Sequence, residues 1–167
     1  APRVRTEYRK SEQAHICLGL QGLAVDDPKR YISDMLSAVL GEGMSSRLFL
    51  ELREERGLAY EANSGNSHYL DTGAFEIYAA VDPKNAIVAI ETIMVELEKL
   101  KSGIPEKELT KSKEFAKGRL LLRMEDTRSV ALWLGGQSLM RKEVLTVDEV
   151  VEKIDSITTD DLHQMAK

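Results

Sequence analysis

The sequence predicts an α+β domain with two layers: a mainly antiparallel sheet and helices packed on one of its faces. Three observations lead to this prediction. Residues 13–20 and 73–81 alternate apolar and polar side chains, as strands with one buried face do. The intervening and following segments repeat apolar residues every three to four positions, as amphipathic helices do. The order strand, two helices, two strands and then helices packs most simply as a sheet covered on one side.

Between the first predicted strand and the first predicted helix, the spacing of apolar residues changes from every second position to every third or fourth. In residues 13–20, Ile16 and its apolar neighbours point to one face, and Cys17 lies on the other. We expect Cys17 to be a buried, inert thiol. A helix is predicted to begin at Asp27, its N-cap, with Pro28 in its first turn and Gly41 as its stop.

A second helix and a pair of strands are predicted next. The helix is expected to run from Ser45 or Ser46 to about Arg56, and Gly57 should end it. Residues 58–81 read as two antiparallel strands around a polar connection. Asp82 and the proline after it then resemble a cap that opens a long helix to about residue 100.

The rest of the chain is predicted to be helical. Helices are expected over residues 105–123 and 126–140, and two capping boxes predict two more, Thr146 with Glu149 and Thr158 with Asp161. The chain starts with Ala1 in a polar lead-in and stops soon after its last helix begins. We therefore expect residues 1–167 to be one domain excised from a longer protein.

Composition argues against several classes of partner. The formal net charge is −5, and no basic cluster alternates with aromatic residues, so neither nucleic acid nor a membrane surface is an expected partner. No apolar run approaches the ~18 residues of a membrane span. The single cysteine excludes an internal disulfide and is typical of a reducing compartment. A cytoplasm or an organelle matrix is therefore the expected location.

The chain shows no sequence pattern of a metal or hydrolase site. Its three histidines, at positions 15, 68 and 163, are far apart, and none belongs to an H-x-x-E-H motif, so no metal ligands are predicted here. The carboxylates alternate with basic residues at helical spacing, which is typical of solvated faces. These are Glu51, Glu54, Glu55, Glu96 and Glu98.

Arg53 and Tyr60 are the candidate site residues, seven positions apart on either side of the expected helix stop. A helix that folds back onto its sheet would bring both side chains to one end of a strand. There a guanidinium and a phenol could hold a peptide carbonyl or stabilise an oxyanion. On spacing alone, a solvated arginine and a packed strand tyrosine are the favoured interpretation.

A family resemblance reverses that preference. The stretch "LGEGMSSRLFLELREERGLAYEANS" resembles the second-half signature of the pitrilysin/insulinase/mitochondrial processing peptidase family of H-x-x-E-H zinc peptidases. The likeness extends to "QAHICLGLQGLAVDDPKR", "TGAFEIYAAVDPKN" and "KGRLLLRMEDTRSVALWLGGQ", so it covers nearly the whole chain. Bacterial processing-peptidase-like members resemble it most, which implies a bacterial cytoplasmic location, with the mitochondrial matrix as the alternative.

The resemblance implies both a fold and a role. In this family two α+β halves close around a peptide, the first half carries zinc, and the second contributes an arginine and a tyrosine that match Arg53 and Tyr60. It implies that this chain is the non-zinc, C-terminal half of a zinc metalloendopeptidase that cleaves short or unfolded peptides or presequences. Zinc and the catalytic residues would lie outside this chain, in a missing half or a partner subunit, and a homo- or hetero-oligomer is expected.

Two other interpretations stay open. The chain could be a non-catalytic scaffold or peptide-binding subunit of a processing-peptidase-like complex, since the zinc-less partners of that family can retain the arginine–tyrosine pair. It could also be an unrelated two-layer domain with a chance match, which the length of the resemblance disfavours.

Overall fold

The computed structural model describes residues 3–5, 7 and 11–167, and it confirms the predicted two-layer α+β architecture. Most of the polar lead-in lies outside the described residues. Within them, the sheet consists of β1 (Ala14–Gly22), β2 (Ala59–His68) and β3 (Gly73–Val81), antiparallel and in the order β1-β3-β2. The helical elements are α1 (Arg30–Gly41), a π-helix (Phe49–Glu55), a 3₁₀ turn (Pro83–Asn85), α2 (Ala86–Lys101), α3 (Glu106–Arg123), α4 (Thr127–Met140), α5 (Val147–Ser156) and α6 (Thr159–Met165).

The two faces of the sheet differ in burial, and this corrects one prediction. Ile16 pairs with Ala79, and both lie in the core with Ile77. Cys17 pairs with Tyr78 on the opposite face, where its thiol is exposed. The prediction of a buried thiol was wrong because the alternation of β1 places Cys17 on the face away from the core.

Helix α1 approaches β2 closely enough to need a residue without a Cβ at its end. A Cβ added to Gly41 would lie 2.3 Å from the backbone nitrogen of Ser64. One turn earlier, the Ser37 and Ser64 hydroxyls are 3.2 Å apart, and the Ser64 hydroxyl donates to the Ser37 carbonyl at 3.0 Å. Gly41 therefore ends the helix as predicted, but what requires glycine there is the close contact with the strand.

Three predicted helix starts differ in detail from the observed ones. Asp27 accepts from the backbone N–H of Lys29 at 2.8 Å in a turn, and α1 begins only at Arg30. Asp82 caps the 3₁₀ turn that precedes α2. The second predicted helix is a π-helix over Phe49–Glu55, preceded by two helical residues. Sequence periodicity does not separate these helix types, because they share nearly the same side-chain spacing over one or two turns.

Both predicted capping boxes are confirmed, at Thr146 with Glu149 and at Thr158 with Asp161. In each, the threonine hydroxyl accepts a backbone N–H and the carboxylate accepts the backbone N–H of the threonine, so two helix-end donors are satisfied. Among the described residues, no helix is both long and apolar enough to cross a membrane.

Glu96 is a second correction, since the prediction placed it on a solvated face. The residue is only 2% exposed, and its carboxylate lies 2.6 Å from the ammonium of Lys99. The same region contains a two-point ion pair between Arg47 and Glu108, with distances of 2.9 and 2.7 Å. The Arg47–Glu108 pair ties α3 to the residues just before the π-helix, because a half-buried guanidinium with two bonds to one carboxylate holds its orientation well. Lys99 of α2 also lies 3.8 Å from the carboxylate of Glu51 in the π-helix.

His68 connects the end of β2 to α1 through both of its ring nitrogens. Nδ1 lies 2.6 Å from the carbonyl oxygen of Leu23, and Nε2 lies 2.9 Å from the carboxylate of Asp34. Since both neighbours are acceptors, the doubly protonated ring satisfies both bonds. The hydrogen bond to Asp34 is the largest cause that raises the pKa of His68, with the Leu23 carbonyl adding to it and burial opposing it.

We expect this raised pKa to make stability depend on pH. The contribution of His68 is fully present below its unfolded pKa of about 6.5 and is lost as the pH rises through the higher folded pKa. The measurement is urea unfolding of the wild type and His68→Gln across this range. The stability difference between them should shrink with increasing pH. A constant difference would contradict the assignment, and His15→Gln, on the exposed face of the sheet, is the matched control.

Candidate functional site

Arg53 and Tyr60 lie on two elements that are joined by a tight turn. Gly57, with φ of +59°, makes the left-handed turn between the π-helix and β2. The backbone N–H of Leu58 donates to the carbonyl of Leu52 at 2.7 Å and closes this turn. We call residues 52–60 the Gly57 turn.

Each candidate side chain directly follows a buried residue in the chain. Leu52, which is 0% exposed, precedes Arg53, and the buried Ala59 precedes Tyr60. These two apolar side chains fix the backbone at both ends of the Gly57 turn, because displacing either would open the core. The sequence therefore presents a guanidinium and a phenol from a well-anchored segment.

Tyr60 occupies a β-bulge. Ala59 pairs with Val81 and Glu61 pairs with Ala80, so Tyr60 is the extra residue on β2. Its side chain is 63% exposed. Bulges redirect a side chain relative to the regular pleat, and the prediction of a strand tyrosine did not foresee one. The alternative of a packed strand tyrosine is wrong.

Arg53 extends from the exposed side of the π-helix. Its guanidinium carbon lies 5.1 Å from the centroid of the Phe49 ring, which supports it through a cation–π contact. Within the part of the chain that the structure describes, neither Arg53 nor Tyr60 has a hydrogen bond or an ion pair, and no such contact joins the two. Their donors are directed to solvent, so both are available to an incoming acceptor.

Lys84 is a neighbouring cation that the sequence reasoning missed. Its pKa is raised mainly by the hydrogen bond and ion pair with Asp82, 3.0 Å away, and a smaller contribution comes from Tyr60. The position of Lys84 follows from the register between β2 and β3. Ala59 pairs with Val81, the last residue of β3, so the residues that follow β3 lie beside Tyr60.

The described residues do not fit a zinc site. None of their histidine, cysteine, aspartate and glutamate side chains come together in groups of three that could hold a metal ion. Arg53 contributes only donors and a positive charge, and the single phenol oxygen of Tyr60 does not by itself make a cation site. What this arrangement can do chemically is bind an oxygen acceptor, such as a carbonyl or carboxylate.

Comparison with known proteins places these residues in a wider context. Residues 1–115 match the family model described as the peptidase M16 inactive domain. An uncharacterized zinc protease of Streptomyces coelicolor is 37% identical over 168 residues, covering 100% of this chain and 37% of that protein. An uncharacterized zinc protease of Bacillus subtilis is 38% identical, covering 97% of this chain and 40% of that protein. The chain thus spans less than half the length of these relatives.

Solved structures show the same fold. A protease from Helicobacter pylori superposes with a TM-score of 0.83 and 28% identity, over 93% of this chain and 38% of that one. A peptidase M16 inactive domain from Pseudomonas fluorescens superposes with a TM-score of 0.83 at 23% identity, over 93% of this chain and 37% of that one. The second likeness is one of fold alone.

Proposed function

This chain belongs to the peptidase M16 inactive-domain family, as its sequence resemblance predicted, and we propose that it is the substrate-binding half of a zinc-dependent endopeptidase. In this proposal residues 1–167 are the C-terminal-half domain of a longer protein. The complete protein hydrolyses short or unfolded peptides, and this chain by itself is inactive. Zinc and its ligands belong to the other half of the protein or to a partner subunit.

The observation that carries the proposal is the pair of unengaged donors at the Gly57 turn. Arg53 and Tyr60 are exposed, have no hydrogen-bond partner among the described residues, and follow buried residues that hold their backbone in place. In the proposal both side chains donate to the carbonyl oxygen of a bound peptide. In peptide hydrolysis that oxygen gains negative charge, and preorganised donors stabilise it more in the transition state than in the ground state.

Exposed leucines support a partner half. Of the residues in α4, all of which the structure describes, only Gln137 is buried. Leu132 is exposed, and Leu139 is 87% exposed; at the end of α3, Leu121 and Leu122 are exposed as well. Leu132 and Leu139 are seven positions apart and so lie on one face of α4, and contiguous apolar surface is typical of an interaction site. We assign it to the zinc-bearing half of the protein.

A peptidase assay tests the proposal. The complete gene product is expected to cleave an unstructured peptide, to lose that activity with a zinc chelator, and to regain it when zinc is restored, whereas residues 1–167 alone should not cleave. Cleavage that survives chelation would contradict the zinc requirement. If the complete protein cleaves no peptide under any condition, the result would favour the alternative, a non-catalytic scaffold or peptide-binding subunit.

A further inference from the structure

Two arginines converge on one tyrosine hydroxyl at the start of α1. The Arg30 and Arg141 guanidinium carbons lie 4.4 and 5.9 Å from the centroid of the Tyr31 ring. Both guanidiniums donate to the Tyr31 hydroxyl oxygen, at 3.0 and 3.2 Å. Arg30 is the first residue of α1 and Arg141 directly follows α4, so the cluster joins two distant parts of the chain.

This cluster has more donors than acceptors. The hydroxyl oxygen of Tyr31 has two lone pairs, and the two guanidiniums use both, so its own O–H can only donate. Among the described residues that O–H has no acceptor. Nε of Arg30 and Nε of Arg141 are also buried without a hydrogen-bond partner. Arg141 makes one other bond, to the side-chain oxygen of Gln137 at 3.0 Å.

The cluster also has two positive charges without a matching carboxylate. Neither arginine forms an ion pair within the described part of the chain. The nearby Asp34 carboxylate is held by His68. Two guanidiniums that share one oxygen are within a few ångströms of each other and repel, more strongly where water is excluded.

Two other arginines of this protein are paired with carboxylates. Arg47 binds Glu108 at 2.7 Å and Arg119 binds Glu42 at 2.6 Å. The Arg30–Tyr31–Arg141 cluster differs from them because it combines two guanidiniums that have no carboxylate partner with buried donors that have no acceptor. A carboxylate or a similar oxyanion supplies acceptors for all three side chains.

The position of Tyr31 indicates the shape of the ligand. Tyr31 lines a groove of about 710 Å³ between α1, β2, α3 and α5. The groove is also lined by Asn66, whose amide nitrogen is buried without a partner while its oxygen accepts from Ser33 at 2.8 Å. An extended molecule with its anionic group at Tyr31 would therefore meet further polar groups along the groove.

We propose that Arg30, Tyr31 and Arg141 form a carboxylate-binding site for the C-terminal carboxylate of a peptide that lies in this groove. The choice of a peptide as the ligand rests on the proposed function, whereas the anion chemistry rests on the cluster itself. Of the three residues only Tyr31 lines the groove, and Arg30 and Arg141 contact the Tyr31 hydroxyl from outside that lining. Arg53 and Tyr60 do not line the groove, so the site is separate from them. It would select peptides by their free C-terminus.

The test is a titration of ¹⁵N-labelled chain with acetyl-tetra-alanine as the free acid, followed through the arginine Nε–H resonances. The free acid is expected to shift the signals of Arg30 and Arg141, and the C-terminal amide to leave them in place. Arg141→Gln should weaken binding by about tenfold or more, because a charged hydrogen-bond partner is lost. Tyr31→Phe should weaken it several-fold while the ring contacts remain.

The control is Arg128→Gln, which makes the same charge change as Arg141→Gln. Arg128 is exposed and lies about 20 Å from Arg141, measured along α4. This control variant should bind the free acid like the wild type, and thermal unfolding shows whether every variant is folded. Equal binding of acid and amide, or wild-type affinity in Arg141→Gln, would overturn the proposal. So would binding of inorganic phosphate without binding of the peptide acid. No result depends on peptide cleavage, so failure here leaves the test of Arg53 and Tyr60 unaffected.

Discussion

Replacing Tyr60 with phenylalanine is expected to lower the turnover of the complete protein on a peptide by about 10²-fold, with a much smaller change in KM. The substitution removes one O–H donor and leaves the ring. If the phenol donates to an oxygen that gains charge only as the peptide bond is broken, its loss affects the transition state more than substrate binding. Arg53→Gln is expected to act in the same direction, because it removes the charged donor on the other side of the Gly57 turn.

Stability should be almost unchanged in Tyr60→Phe, which separates this role from a structural one. The Tyr60 hydroxyl has no hydrogen-bond partner among the described residues, so the folded state loses no internal bond. The measurements are kcat and KM on an unstructured peptide and the thermal unfolding midpoint. Tyr69→Phe, an equally exposed tyrosine in the connection after β2, is the matched control and should keep wild-type turnover. Wild-type turnover in Tyr60→Phe would remove Tyr60 from the proposed site.

Gly41→Ala is expected to lower the free energy of unfolding by about 3 kcal/mol, the upper end of the usual cost of overpacking. The added Cβ would lie 2.3 Å from the Ser64 backbone nitrogen and 2.8 Å from the Asn63 carbonyl carbon. Since these are backbone atoms of a paired strand, relief requires α1 and β2 to separate. That movement would weaken packing of the core residues between them.

Urea unfolding measures this effect, and Gly135→Ala is the matched control. A Cβ at Gly135 meets no atom within 4 Å, and the residue lies inside α4, so alanine there should raise stability by about 0.5–1 kcal/mol. The same substitution is thus expected to lower the free energy of unfolding at Gly41 and to raise it at Gly135. A Gly41→Ala protein as stable as the wild type would show that the contact between α1 and β2 is easily relaxed.

Local features of the fold were predictable from the sequence. The capping boxes at Thr146 and Thr158 form because the partners are three residues apart and need no distant contact. The alternation of β3 correctly identified its buried face, although Ala80 on the other face is buried as well. Gly57 was recognised as a helix stop for a local reason as well, because glycine readily adopts the positive φ that ends many helices. The structure gives it a φ of +59°.

The candidate site was predictable only in part. The sequence placed Arg53 and Tyr60 on either side of a helix stop, and the family resemblance supplied their proposed role. The bulge that exposes Tyr60, the support of Arg53 by Phe49 and the presence of Lys84 were not predicted. Lys84 and the bulge depend on the register between β2 and β3, and a one-residue change of register alters every pairing along a strand.

By itself, then, the sequence determined the elements, their order, the two-layer architecture and the family, because periodicity, capping and turn residues act over a few positions of the chain. Tertiary structure alone decided that Glu96 is buried and that two arginines meet at Tyr31. Arg141 is 110 positions from Tyr31 in the chain, and their contact exists only because α4 returns to the start of α1. Burial and charge pairing depend on such distant neighbours, whose positions follow from the packing of the whole domain.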